Sequence, residues 1–311
     1  MVSTALAFAA SPLLTTPRRP PAAVASDPSG RCVLYTTDLG DPPPAAEAML
    51  RQLACGGPLL VDVLHVAPNA AAAAAAEPRL LEVLADLPAI PMRRRIVVDT
   101  DAAAAVGRAC ASAGYHLVMA PATSSRWGRS LPAALTGACD MPLWTTGDAG
   151  SAARATAIRR VACEVTLERH RDRHLTFATQ LADRLGARLT VVHVVPEIDD
   201  GTIADGLATR PLNPEVAAAR VLDLLAGAAA EVVVGTGRRA ATLRRLLLDT
   251  GADLLCVPAG DAAGPWWMAP HLRRAPCPVV CAGPHAHRAW ASTYAFGTSL
   301  RMRPWGLSVT R

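Results

Sequence analysis

The chain has 311 residues, of which 51% are hydrophobic and 18% charged, and its net charge is +5. This composition excludes a disordered protein, and the length suits about two domains. All 31 basic residues are arginine and they are scattered, so no basic run points to nucleic acid, and no apolar run reaches the ~18 residues of a membrane span.

In chain order, residues 1–30 come first. They hold no acidic residue before Asp27, and Arg18 and Arg19 follow the apolar stretch instead of preceding it, unlike a secretory signal. The segment reads as an N-terminal arm or an organelle targeting segment. A strand is expected from Arg31 in "RCVLYTTDL" and a second in "VDVLHVAP", ending at Pro68. The alanine run 70–76 reads as a loop or weak helix over the sheet edge. Arg93, Arg94 and Arg95 precede the strand "IVV" and read as its solvated start, with phosphate binding as the other reading. Further strands are expected in "AGYHLVMAP" (113–121) and "MPLWTT" (141–146), and residues 148–157 read as a linker.

The chain then repeats itself. "RRVACEVTL" begins at Arg159 and "LTVVHVVP" ends at Pro196, both 128 positions after their counterparts, so His193 falls on His65. "GADLLCVPA" (251–259) echoes 113–121 at an offset of 137, and "RRAPCPVVCAGP" (273–284) echoes 137–148 at 136. Within this copy, strands are expected in "RVACEVT", "ARLTVVHVV", "EVVVG", "DLLCVP" and "PVVCAG". Helices are expected in "ERHRDRHLTFATQLADRLG", "NPEVAAARVLDLLAGA", "RRAATLRRLLLDTG" and, briefly, "WWMAPHLRR". Apolar strands alternating with amphipathic helices predict a parallel sheet covered on both faces. Right-handed crossovers make each copy a five-stranded, doubly wound α/β domain with a crevice at the carboxyl ends of its strands.

"LTVVHVVPE", "GADLLCVPAG" and "LRRAPCPVVCAG" resemble the second, fourth and fifth strands of universal stress protein domains; "VDVLHVAP" and "MPLWTT" match more weakly. The chain is thus similar to a tandem universal stress protein, with domains at 31–147 and 158–283 and a tail from 284 to 311. The resemblance implies strand order 3-2-1-4-5 and two copies packed as a pseudo-dimer through their last strands. ATP-binding members carry an aspartate after the first strand and G-x2-G-x9-G-[S/T] after the fourth, where glycines let backbone N–H groups approach phosphate. Asp38 holds the aspartate position, and Arg129-Ser130, beside Gly128, holds the last pair. Pro121 and Ser124 replace the two earlier glycines, and nine residues separate Pro121 from Ser130 where the pattern needs fourteen. In the second copy the aspartate position is Thr166, the glycines are Pro258 and Asp261, and Trp266 replaces the serine. Proline lacks the N–H such a cradle uses, and an aspartate repels phosphate. The expectation is loss of ATP binding in the second copy, with Asp38, Gly128 and Ser130 as a residual site for ATP or AMP in the first.

Other clusters read more plainly. His65 and His193 are expected to be strand residues near the sheet's carboxyl edge. His170 and His174, spaced i and i+4 among arginines, are expected on a solvated helix face and not on a metal. Cys277, Cys281, His285 and His287 look like metal ligands, but two thiols four residues apart on an extended strand are about 13 Å apart, too far for one zinc. Cys32, Cys163, Cys256 and Cys281 lie in apolar runs and suit buried, reduced thiols of a cytoplasmic protein. Trp290, Tyr294, Phe296, Arg301 and Trp305 in the tail have the composition of a partner-binding surface; the other reading folds the tail over its own domain.

These residues predict a non-catalytic regulatory or scaffolding subunit, with a protein partner or homo-oligomer engaged through the terminal arms. The alternative is an adenine-nucleotide-binding stress sensor that uses the first crevice.

Overall fold

The structure is a computed structural model that describes residues 31–120, 131–138, 141–146, 157–167, 173–195, 213–225, 229–258, 275–283 and 307–309. In the first half, five strands alternate with helices: β1 (Arg31–Thr36), α1 (Pro44–Cys55), β2 (Leu59–Ala67), α2 (Ala70–Asp86), β3 (Met92–Val98), α3 (Ala102–Ser112), β4 (Leu117–Met119), α4 (Leu131–Ala138) and β5 (Leu143–Thr145). The second half repeats the series with β6 (Arg160–Glu164), α5 (Arg173–Leu185), β7 (Arg188–Val195), α6 (Pro214–Leu225), β8 (Glu231–Thr236), α7 (Arg239–Thr250), β9 (Leu254–Pro258) and β10 (Val279–Ala282). The short helix expected in "WWMAPHLRR" and the linker 148–157, save its last residue, lie outside the described residues.

Local chemistry explains where these elements start and stop. Pro44 opens α1, where its missing N–H costs nothing. Asn69 caps α2 through a hydrogen bond from the Ala72 N–H at 2.8 Å, so the alanine run is a full helix and not a loop. Asp101 caps α3 in the same way, from the Ala104 N–H at 2.9 Å. α7 ends at Gly251 in the left-handed conformation, φ 62°, which a side chain would strain. β1, β2, β6 and β7 are buried along nearly their whole length, the pattern of parallel strands covered on both faces.

With β11 (Leu307–Val309), the strands form one sheet in the order β11-β8-β7-β6-β9-β10-β5-β4-β1-β2-β3. Each half therefore has the expected order 3-2-1-4-5. The halves meet where β5 and β10 pair antiparallel, with Leu143 opposite Cys281, Trp144 opposite Val280 and Thr145 opposite Val279. β11, from the tail, pairs parallel to Val232–Val234 of β8. Part of the tail thus returns to its own domain.

A second contact locks the halves together. Gln52 on α1 accepts from the Ile158 N–H at 2.6 Å and donates to the carbonyls of Ile158 and Leu185 at 2.8 and 3.1 Å. Arg184 on α5 donates to Leu53 O at 3.0 Å. The turn after α1 must be glycine here, because a Cβ on Gly56 would lie 2.8 Å from the Arg184 carbonyl oxygen. On this side of the sheet one hydrophobic cluster runs through both halves, from Val33 and Met49 to Phe177 and Val191, with Trp144 in it.

At the amino ends of β1 and β4, His116 Nδ1 accepts from the Cys32 N–H at 3.2 Å. Burial, and then the Arg31 guanidinium, hold the His116 pKa below its ordinary 6.5.

Two outcomes follow. Gln52→Ala strands backbone groups of Ile158 and Leu185 and should lower stability by about 1–3 kcal/mol, with Gly56→Ala acting in the same direction. Urea unfolding should show both as lower midpoints of a single transition, since the core is shared. For His116 the unfolded chain takes up the proton more readily, so its contribution is complete above about pH 6.5 and declines as pH falls below that. Thermal midpoints of wild type and His116→Asn should converge on acidification.

Candidate functional site

In open parallel sheets the ligand crevice lies beyond the carboxyl ends of the strands, where the strand order reverses. In this chain that places one crevice beside β1 and β4 and another beside β6 and β9. Because β5 and β10 run antiparallel, the two crevices open at opposite ends of the shared sheet.

The first crevice is built on the turn after β1. Thr36 donates to Met119 O at 3.2 Å, which ties β1 to β4. Asp38, half-buried, turns its carboxylate back on its own loop and accepts from the Gly40 N–H at 3.0 Å. Leu39 adopts φ 70°, a left-handed conformation that costs a residue with a Cβ about 1–2 kcal/mol. Its N–H donates to Thr37 Oγ1 at 2.9 Å. Arg79 from α2 clasps the turn from outside, donating to Leu39 O at 3.1 Å and to Asp41 at 2.8 Å, while its other nitrogen reaches Glu82 at 2.6 Å. From inside, buried His65 donates through Nδ1 to Thr37 O at 2.9 Å; a carbonyl can only accept, so that nitrogen carries the proton.

The second crevice repeats the frame and changes the chemistry. His193 donates to Val165 O at 2.8 Å, as His65 does to Thr37 O, so both histidines brace the end of the central strand. Thr166 stands where Asp38 stands, and Glu164 stands where Thr36 does. The Glu164 side chain is 1% exposed; its Oε1 accepts from Arg239 Nε at 2.7 Å, and its Oε2 has no hydrogen-bond partner among the described residues. Arg239 is the first residue of α7. The Glu164 carbonyl accepts from His174 Nε2 at 3.0 Å. His174 is buried, contrary to the solvated helix face expected from its arginine neighbours, because α5 turns this residue onto the end of β6. His170 lies outside the described residues. Pro258 is the last residue of β9, paired in register with Ala282.

Sequence reasoning singled out neither Glu164 nor Arg239. The available signal was one carboxylate inside the apolar run "VACEV", but its partner is 75 positions away on another element. Gly128, Ser130, Ser124, Asp261 and Trp266 lie outside the described residues, as do Trp290, Tyr294, Phe296, Arg301 and Trp305 of the tail.

Four of the described cysteines are held in the thiol form. Cys277 and Cys281 are buried, and burial pushes both thiols up, with Cys281 on β10 facing the core. Burial pushes Cys256 up to about 12 and, with Asp62 adding to it, Cys32 to about 12 as well, so both stay protonated at neutral pH. Among the described residues no group of three histidine, cysteine or acidic side chains is placed to hold a metal, and no helix is long and apolar enough to cross a membrane.

Residues 158–265 match the Universal stress protein family. No curated protein matches the chain. Among solved structures, a universal stress protein from Archaeoglobus fulgidus DSM 4304 superposes with a TM-score of 0.58 at 17% identity, covering 81% of this chain and 98% of its own. A putative universal stress protein from Pseudomonas aeruginosa UCBPP-PA14 gives 0.57 at 14% identity, covering 85% of this chain and 99% of its own. A functionally unknown protein from Pseudomonas aeruginosa PAO1 gives 0.56 at 13%, covering 85% and 98%. Residues 158–265 thus carry the match to the universal stress protein family, and the chain as a whole has the tandem form of that fold.

Proposed function

We propose that this chain is a non-catalytic tandem universal stress protein that works as a regulatory or scaffolding subunit through protein contacts. The observation that carries the reading is the buried Glu164–Arg239 pair. It fills the end of the central strand in the second crevice and puts a carboxylate where a phosphate-bearing ligand would need donors. A nucleotide there would have to compete with Glu164 for the Arg239 guanidinium, which the buried carboxylate already holds. Pro258 adds to this, because at the head of the loop it offers no N–H to a phosphate.

In the first crevice the carboxylate of Asp38 is engaged by its own turn, with Arg79 holding that turn closed from outside. An adenine-nucleotide sensor is the second reading. What favours it is that Asp38 is kept at the end of β1, with Thr36 in place of Glu164 and no counterpart to the Glu164–Arg239 pair among the described residues.

Calorimetry with ATP, AMP and adenosine separates the two. No heat of binding is expected; tight binding that disappears in Asp38→Ala would overturn the scaffold reading. The ion pair has its own test. Arg239→Ala leaves a buried carboxylate without its cation and should cost about 2–4 kcal/mol, less than a fully buried pair because the arginine is half exposed. Adding Glu164→Thr, the residue the first half uses at that position, should recover most of the loss in urea unfolding.

A further inference from the structure

The outermost strands of the two repeats, β8 and β3, lie toward opposite edges of the sheet and differ in charge at an equivalent position. At one edge, Glu231 of β8 lies in register with Thr190 of β7, and Thr190 donates to the Glu231 carboxylate at 3.2 Å. At the other edge, the equivalent register pair is Arg93 of β3 with Asp62 of β2. β8 is covered by β11, a strand from a tail (284–311) that contains arginines and no acidic residue. β3 is the terminal strand of the sheet, seven residues long, with no strand beside it among the described residues.

We infer that the open edge of β3 is a docking site for an extended acidic segment of a partner protein, which adds to the sheet as β11 adds to β8. This supplies a partner chemistry for the scaffold reading and rests on it.

The backbone geometry defines the site. The Val61 N–H donates to Pro91 O at 3.0 Å and the Asp99 N–H to Ala67 O at 2.8 Å. Odd-numbered residues of β3 therefore turn their backbone groups toward β2, and Met92, Arg94, Ile96 and Val98 turn theirs outward. Val98 is 51% exposed, and Leu81 on the neighbouring α2 is 48% exposed, so the edge also offers apolar area. Arg93 is exposed and makes no ion pair or hydrogen bond with a described residue. Arg94 is paired with Glu77 at 3.2 Å, and Arg95 reaches the Tyr115 hydroxyl at 3.4 Å, which in turn donates to Asp62 at 2.8 Å.

Charge selects the occupant. A second copy would bring its own Arg93–Arg95 against this run, and like charges across strands destabilise pairing. Residues 1–26 and the tail carry arginine and no acid, so neither terminal segment complements the edge. An extended segment with acidic side chains meets both requirements, backbone pairing and charge.

The test uses the full chain and a blocked, fluorescein-labelled seven-residue peptide of alternating glutamate and valine, with a lysine–valine peptide as control. The glutamate peptide should raise anisotropy at low ionic strength and slow amide exchange at Arg94, Ile96 and Val98. Val98→Pro removes an outward N–H without touching the β2 ladder, and should weaken binding at least about tenfold. Arg93→Glu should weaken it about five- to tenfold, and the milder Arg93→Gln should act in the same direction if the reversal disturbs folding. Equal binding of the lysine peptide, protection elsewhere than β3, or no binding at all would overturn the inference. Nucleotide binding at Asp38 would instead overturn the scaffold reading and leave these results unaffected.

Discussion

The antiparallel pairing of β5 with β10 is the contact on which the rest of the molecule depends. Each half alone would end its parallel sheet at a three- or four-residue strand with an unpaired apolar edge, carrying Trp144 on one side and Cys281 on the other. Paired, the two edges satisfy each other and bury Trp144 completely. The junction also sets the larger geometry. It reverses the strand direction between halves, sends the two crevices to opposite ends of the sheet, and places β3 at one outer edge and β8, covered by β11, toward the other. No single small ligand spans both crevices in such an arrangement. The α1–α5 contact follows from the same junction, since it brings Gln52 against the start of the second half.

Comparing the halves separates scaffold from chemistry. His65 and His193 make the same bond to the same strand-end carbonyl, one that holds the central strand's exit in place whatever stands around it. The neighbouring positions have diverged instead: Thr36 against Glu164, Asp38 against Thr166, Asp62 with Arg93 against Thr190 with Glu231. Where the frame is kept and the polar groups differ, the two crevices offer different chemistry. In the second half a buried carboxylate paired with an arginine occupies the strand end, where the first half has a threonine.

Much of this fold was legible in the sequence because strands buried on both faces leave continuous apolar runs, and a repeat lets one half check the other. His65 and His193 were placed correctly for that reason. The misses share a physical cause. His174 sits among arginines, so its local sequence reads as solvent-facing, yet its burial is decided by where α5 meets β6, a packing relation with no periodic signature. The Glu164–Arg239 pair joins a strand end to a helix start far along the chain, and Gln52 reads as an ordinary polar helix position until the second half arrives beside it. The alanine run 70–76 was underestimated because Asn69 caps it, and a good cap on a strong helix former outweighs low complexity.

The stretch "CPVVC" shows how placement overrides inventory. Two cysteines with histidines nearby suggest a ligand set, but a zinc site needs thiolates that converge on one point. β10 is hydrogen-bonded on both sides, to β9 and to β5, so the strand has no freedom to bend its ends together. Burial works against the ion as well, since it holds Cys277 and Cys281 protonated. At this position the useful properties of cysteine are its small size and low polarity, which let Cys281 stand opposite Leu143 where the two halves of the sheet join.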